Sequence, residues 1–212
     1  MNKQRFIALW SRSPIEGIDA SAVFKLLEQH YAEPQRYYHN AAHIDHCLAQ
    51  FDNVAAEISD PEAIELAIWF HDVIYDPKAD DNEQKSAELF QTVVGKQRNI
   101  AFVSKVVDLI ELTFHRLAPL NTDQQYILDI DLSSFGLPWE LFSRDSQNIR
   151  REHSHLSDEE FARSHLSFLH GLLKRPQFFH SNFFQQHYGD IAIKNITQFV
   201  KGNALTVFRP LD

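Results

Sequence analysis

An all-α fold, built as a single-domain helical bundle, is what the chain predicts, and three observations carry that expectation. Apolar residues recur at three- and four-residue spacing almost throughout. Several helix starts are legible as capping signals. Glycine is scarce, 6 in 212 residues, too few for the many tight turns of a strand-rich fold.

The elements follow in order. Val23, Leu26, Leu27 and His30 with Tyr31 form one helical stripe, and Ile44, Leu48, Phe51 and Ala55 form the next. Asp60-Pro61-Glu62 sets an acidic cap before a proline in the first turn, opening the run from Ile64 to Phe70. Ile100, Val103, Val107, Ile110 and Leu112 mark a further stripe. Thr122-Asp123-Gln124-Gln125 and Ser157-Asp158-Glu159-Glu160 both have the capping-box form ahead of apolar runs. Arg175-Pro176 followed by Phe178, Phe179, Phe183 and Phe184 closes the core. Breaks fall at Pro34, Asp76-Pro77, Gly95, Pro119, Gly136 to Pro138 and Arg175-Pro176, which gives about eight to ten helices. No Pro/Gly/Ser-rich linker divides the chain. One domain over residues 1–212 is expected, with a metal-site core over about 36–135 and C-terminal helices over about 138–205 packed on it.

Composition narrows the function. A formal net charge of -9 argues against a nucleic-acid polymer as partner, because such proteins present a basic face. A small anionic substrate stays open, since a bound cation and a few arginines reverse the potential of a cleft whatever the global sum. Cys47 is the only cysteine, so no internal disulfide forms, which fits a reducing compartment. Phe6-Ile7-Ala8-Leu9-Trp10 is too short for a signal core, and no stretch nears the roughly 18 apolar residues of a membrane span. A cytoplasmic protein without a membrane partner is expected. The aromatic residues after Phe178 suit a homodimer surface as readily as a core.

Chemistry concentrates at His71-Asp72, where an apolar helix ends. An imidazole and a carboxylate at the rim of a buried surface are costly unless something replaces the lost water, and a divalent cation does so. Adjacent helical side chains diverge by about 100 degrees, yet an ion just beyond the helix end is within reach of both. His43 lies upstream. Asp129 and Asp131 lie downstream, two apart, so one at most faces the metal while the other braces a ligand or a backbone donor.

The order His43, His71-Asp72, Asp131 resembles the HD superfamily of metal-dependent phosphohydrolases. The strings Tyr38-His39-Asn40-Ala41-Ala42-His43, Trp69-Phe70-His71-Asp72-Val73-Ile74-Tyr75-Asp76 and Asp81-Asn82-Glu83-Gln84-Lys85-Ser86-Ala87 are similar to a bacterial subgroup of predicted phosphohydrolases. The resemblance implies an all-helical fold, metal ligands at His43, His71, Asp72 and the acid of the 129–131 stretch, Asp131 by preference, and a nucleotide or other small phosphoester as substrate. It implies one divalent ion, or two if His115 completes a second site as extra histidines do in binuclear members. Mixed imidazole and carboxylate ligation suits manganese, iron, cobalt, nickel or zinc.

Further candidates surround this core. Asp72, Glu83 and His115 are the candidate catalytic groups: Glu83 to orient the attacking water, His115 or His39 to assist proton transfer. Arg36, His39, Arg150 and Arg163 are candidate substrate contacts, since a guanidinium grips two phosphate oxygens at once. Arg150 and Arg163 pair equally well with Glu152, Glu159 or Glu160 on a helical surface, and His115 equally suits an ordinary exposed position. Two other functions fit the same ligands: a regulatory module that binds a metal or nucleotide without turnover, and a di-iron oxygenase of the HD type.

Overall fold

The computed structural model describes residues 1–13, 15, 17–95 and 99–207, with side chains to residue 202, and the regular structure among them is entirely helical. Ten α-helices there run to ten residues or more. They gather into two compact units, Met1–Asp131 and Leu132–Asp212. No helix among the described residues is long and apolar enough to cross a membrane.

The first unit holds α1 (Lys3–Arg12), α2 (Ala20–Tyr31), α3 (Ala41–Val54), α4 (Pro61–Phe70), α5 (Asn82–Val94), α6 (Ile100–Leu112) and α7 (Thr122–Leu132), the last of which carries Asp131. At its centre is α4, buried at every position from Ala63 to Phe70 and packed against α1, α3, α5 and α6. A helix that is apolar all round has no solvent face to offer and belongs in the core. Asp60 caps α4 by accepting from the Ala63 amide, and Pro61 fills its first turn.

The one buried acid of α4, Glu65, is paired. Its carboxylate accepts from Arg5 Nε at 2.6 Å and Arg12 Nη2 at 3.1 Å, and Arg5 also forks onto Asp52 at 2.7 and 2.8 Å. These pairs fasten α1 to the central helix. Glu65→Ala is expected to destabilise the protein by about 2–3 kcal/mol, because it strips two charge-assisted bonds from a dry site. Urea unfolding of the two proteins checks this.

The second unit holds a 3-10 turn (Ser133–Gly136), α8 (Trp139–Glu152), α9 (Asp158–Leu173), the single turn α10 (Asn182–Phe184), a π turn (Gln185–Gly189) and α11 (Asp190–Val207). Phe178, Phe179 and Phe184 are buried in it, as the sequence suggested. Asn195 of α11, also buried, donates to the carbonyls of Phe135 and Leu137 at 2.9 and 2.8 Å. Gly136 has no room for a side chain, since a Cβ there would run into Tyr188.

Each expected break falls between these long helices. The capping box at Ser157 and Glu160 forms with both reciprocal bonds. Two local details differ from expectation. At α7 the cap is Asn121, whose side chain accepts from the Gln124 amide, in place of Thr122. In α6 the expected Val107, Ile110 and Leu112 are buried and are joined by Phe102, Val106 and Leu109, while Ile100 at the helix start is 76% exposed.

Candidate metal centre

Local structure explains how the chain assembles the site. Asn40 caps α3 by accepting from the Ala42 amide, which starts the helix after His39 and sets His43 in its first turn. His39 therefore lies outside the helix, where its ring stacks on Tyr75 at 4.2 Å. The helix α4 ends at Phe70, and His71 is its C-cap, so His71 and Asp72 project just beyond the helix end. Asp131 comes from the last turn of α7.

These side chains meet. His43 Nε2 is 3.2 Å from His71 Nε2, 3.4 Å from Asp72 Oδ2 and 3.2 Å from Asp131 Oδ1. His71 Nε2 is 3.1 Å from Asp72 Oδ2 and 3.5 Å from Asp131 Oδ1. Ligands about 2.1 Å from a first-row metal ion stand about 3.0 Å apart at the edge of an octahedron and about 3.4 Å apart at the edge of a tetrahedron. The observed spacings lie at these edge lengths. Two imidazole nitrogens and two carboxylates held this close need a proton or a cation among them, and both the donor set and its spacing fit a transition-metal ion.

The shell around these donors is built to aim them. His71 Nδ1 donates to the Ile68 carbonyl at 2.9 Å, which turns Nε2 toward the carboxylates. His115 Nε2 lies 2.7 Å from Asp131 Oδ2, leaving Oδ1 for the histidines. His115 holds a φ of +58°, the left-handed region, and its buried Nδ1 has no hydrogen-bond partner among the described residues. The side chains of His43 and His71 are each 2% exposed, against 13% for Asp72 and 17% for Asp131. The site is sealed behind the imidazoles and reaches solvent on the carboxylate side.

Electrostatics agree with a cation-binding role. Burial pulls the His71 imidazole down, but the Asp72 charge and hydrogen bonds to Asp131 and Asp72 outweigh it and hold it well above the ordinary histidine range. Burial likewise opposes ionisation of Asp72 and Asp131, yet His71 pulls the first below the usual carboxylate range, and His115, His43 and His71 pull the second well below it. The cluster stabilises positive charge at its centre. Glu83, half-buried in the first turn of α5, is raised by burial and then by the charges of Asp72 and Asp131.

Sequence patterns did not single out Cys47, one turn after His43 on the same face of α3. Its Sγ lies 3.7 Å from His43 Nε2, and His43, Cys47, His71 and Asp131 each bring a donor atom within 4.8 Å of the others, a buried group able to hold a metal ion. Burial, then the Asp131 and Asp72 charges, push the Cys47 thiol well up. Asp72 offers a further donor beside this group, its Oδ2 3.4 Å from His43 Nε2 and 3.1 Å from His71 Nε2.

Of the two acids in α7, Asp131 is the one that meets the histidines, and Asp129 is buried near Tyr126. Arg36 is enclosed, its donors turned to Glu33 and to main-chain carbonyls. Arg150 and Arg163 belong to the second unit. Arg150 forks onto Asp158 at 2.7 and 3.0 Å and caps the carbonyls of His153 and Leu156, and Arg163 is exposed on α9. No family model, curated protein or solved structure matches the chain.

Proposed function

We propose that the protein is a metal-dependent phosphohydrolase acting on a nucleotide or another small phosphoester, with His43, His71, Asp72 and Asp131 as metal ligands. The observation that carries this is the convergence of two imidazole nitrogens and two carboxylates at 3.1–3.5 Å on a site open at its carboxylate side. The ordered resemblance of His43, His71-Asp72 and Asp131 to the HD superfamily supports the phosphohydrolase reading. Manganese, iron, cobalt, nickel and zinc suit this mixed donor set. Such an ion, when bound, acidifies a water and polarises a phosphoryl oxygen.

The chain's own residues supply the rest. The buried imidazoles exclude water from behind, so substrate and solvent enter past Asp72 and Asp131. Glu83, raised and half-buried beside both, is suited to take a proton from the attacking water. His39, on the ring of Tyr75 and close enough for its charge to act on Asp72, is suited to contact a phosphate oxygen or the leaving oxygen. His115 holds Asp131 in its orientation through the 2.7 Å contact.

A screen of phosphomonoesters, nucleotides and cyclic nucleotides with each of the five metals tests the proposal, with His71→Ala as control. Turnover of a member of the panel by wild type, absent from the variant, is expected. Equal turnover by a metal-free His71→Ala protein contradicts it. Glu83→Gln is expected to lower kcat by about 10²–10⁴-fold with metal content unchanged, the range for loss of a general base.

A further inference from the structure

Arg36 lies against the centre without presenting its charge to it. Its side chain is wholly enclosed, with the rings of Tyr31 and Tyr75 at 5.3 and 5.5 Å from the guanidinium carbon. Nε donates to the Glu33 carboxylate at 3.0 Å. Nη1 donates to the carbonyls of His39 at 3.0 Å and Asp72 at 2.6 Å, and Nη2 donates to the carbonyl of Val73 at 2.8 Å. A buried guanidinium is tolerated only when its donors are met, and here three of the acceptors are backbone groups in irregular segments.

Those segments are the ones that carry the ligands. His39 directly precedes Asn40, the cap of α3, and His43 sits in the first turn of that helix. Asp72 and Val73 form the turn after α4. A single rigid fork thus joins the approach to one ligand with the main chain of another. We propose that Arg36 is the positioning residue of the metal centre, fixing the 3.4 Å spacing between His43 and Asp72 by tying the approach of α3 to the turn after α4. The inference rests on the metal reading given above. Lysine cannot take over the role, since a compact ammonium does not reproduce a planar fork that spans carbonyls on two segments.

The test uses the full chain as wild type, Arg36→Met and Arg36→Lys. Each is titrated with cobalt(II), whose visible bands report ligand geometry, and circular dichroism of the metal-free proteins reports the fold. Both variants are expected to stay helical without metal and to bind cobalt about 10–100-fold more weakly, the usual effect of removing support from a metal ligand, with bands altered in position and intensity. The lysine variant is expected to lie between wild type and the methionine variant. Affinities within about twofold of wild type, with the same bands, overturn the inference. Loss of helical signal from both metal-free variants overturns it too, assigning Arg36 to the core. A wild-type protein that takes up no cobalt removes the metal reading itself, and that outcome is read from the wild-type titration alone.

Discussion

His71→Ala and Asp72→Ala proteins are expected to lose their metal, with affinity lowered by more than about 100-fold, beyond the effect of removing an outer-shell partner. His71 and Asp72 stand 3.1 Å apart and each also contacts His43, so deleting either opens the polyhedron on more than one edge. Asp129→Ala, by contrast, is expected to leave metal affinity unchanged, since the carboxylate that reaches both histidines is that of Asp131. Metal analysis of the purified proteins, together with titration of the metal-free forms, distinguishes these outcomes.

Metal affinity is also expected to fall steeply in acid. Against the effect of burial, Asp72 and Asp131 hold His71 well above the ordinary histidine range, so a proton competes with the ion for Nε2. Below that raised value, apparent affinity should drop about tenfold per pH unit, and binding should release about one proton, measurable by calorimetry in buffers of different ionisation heat. Asp72 and Asp131, held low by the neighbouring imidazoles despite their burial, are already ionised and release none.

The same groups set the stability of the metal-free protein. The raised His71 contributes stability that is complete below about pH 6.5 and is lost as the pH climbs through its folded value. The lowered Asp72 and Asp131 contribute stability present above the ordinary carboxylate range and lost as the pH falls through their folded values. Thermal scans should therefore show the metal-free protein weakening on the alkaline side, where the metal-loaded protein does not.

Much of this arrangement was legible in the chain. An apolar run that ends abruptly in His71-Asp72 locates these two polar side chains, because the buried helix stops there and they project just beyond its end. Capping signals at Asp60 and Ser157 located helix starts for the same reason that they form: unsatisfied amides need an acceptor.

Other features were hidden for physical causes. Which of Asp129 and Asp131 faces the histidines depends on the rotation of α7, and a stretch where acids alternate with apolar residues leaves that rotation undefined. The expected face of α6 was right at Val107, Ile110 and Leu112 but missed Phe102, Val106 and Leu109, because apolar character spreads around the first turns of that helix. The engagement of Arg36 had no sequence signal at all. Its carbonyl partners at His39, Asp72 and Val73 are backbone groups that every residue carries. Cys47 did carry a signal, the four-residue spacing from His43 that puts both on one face of α3.

The most direct test of the central claim is to strip the purified protein of metal and follow phosphoester hydrolysis as one divalent ion at a time is returned. Hydrolysis is predicted to be absent from the stripped protein, to rise linearly with added ion and to saturate once the site formed by His43, His71, Asp72 and Asp131 is filled. A stripped protein that hydrolyses the ester at the full rate, or a rise that persists in His71→Ala, would contradict it.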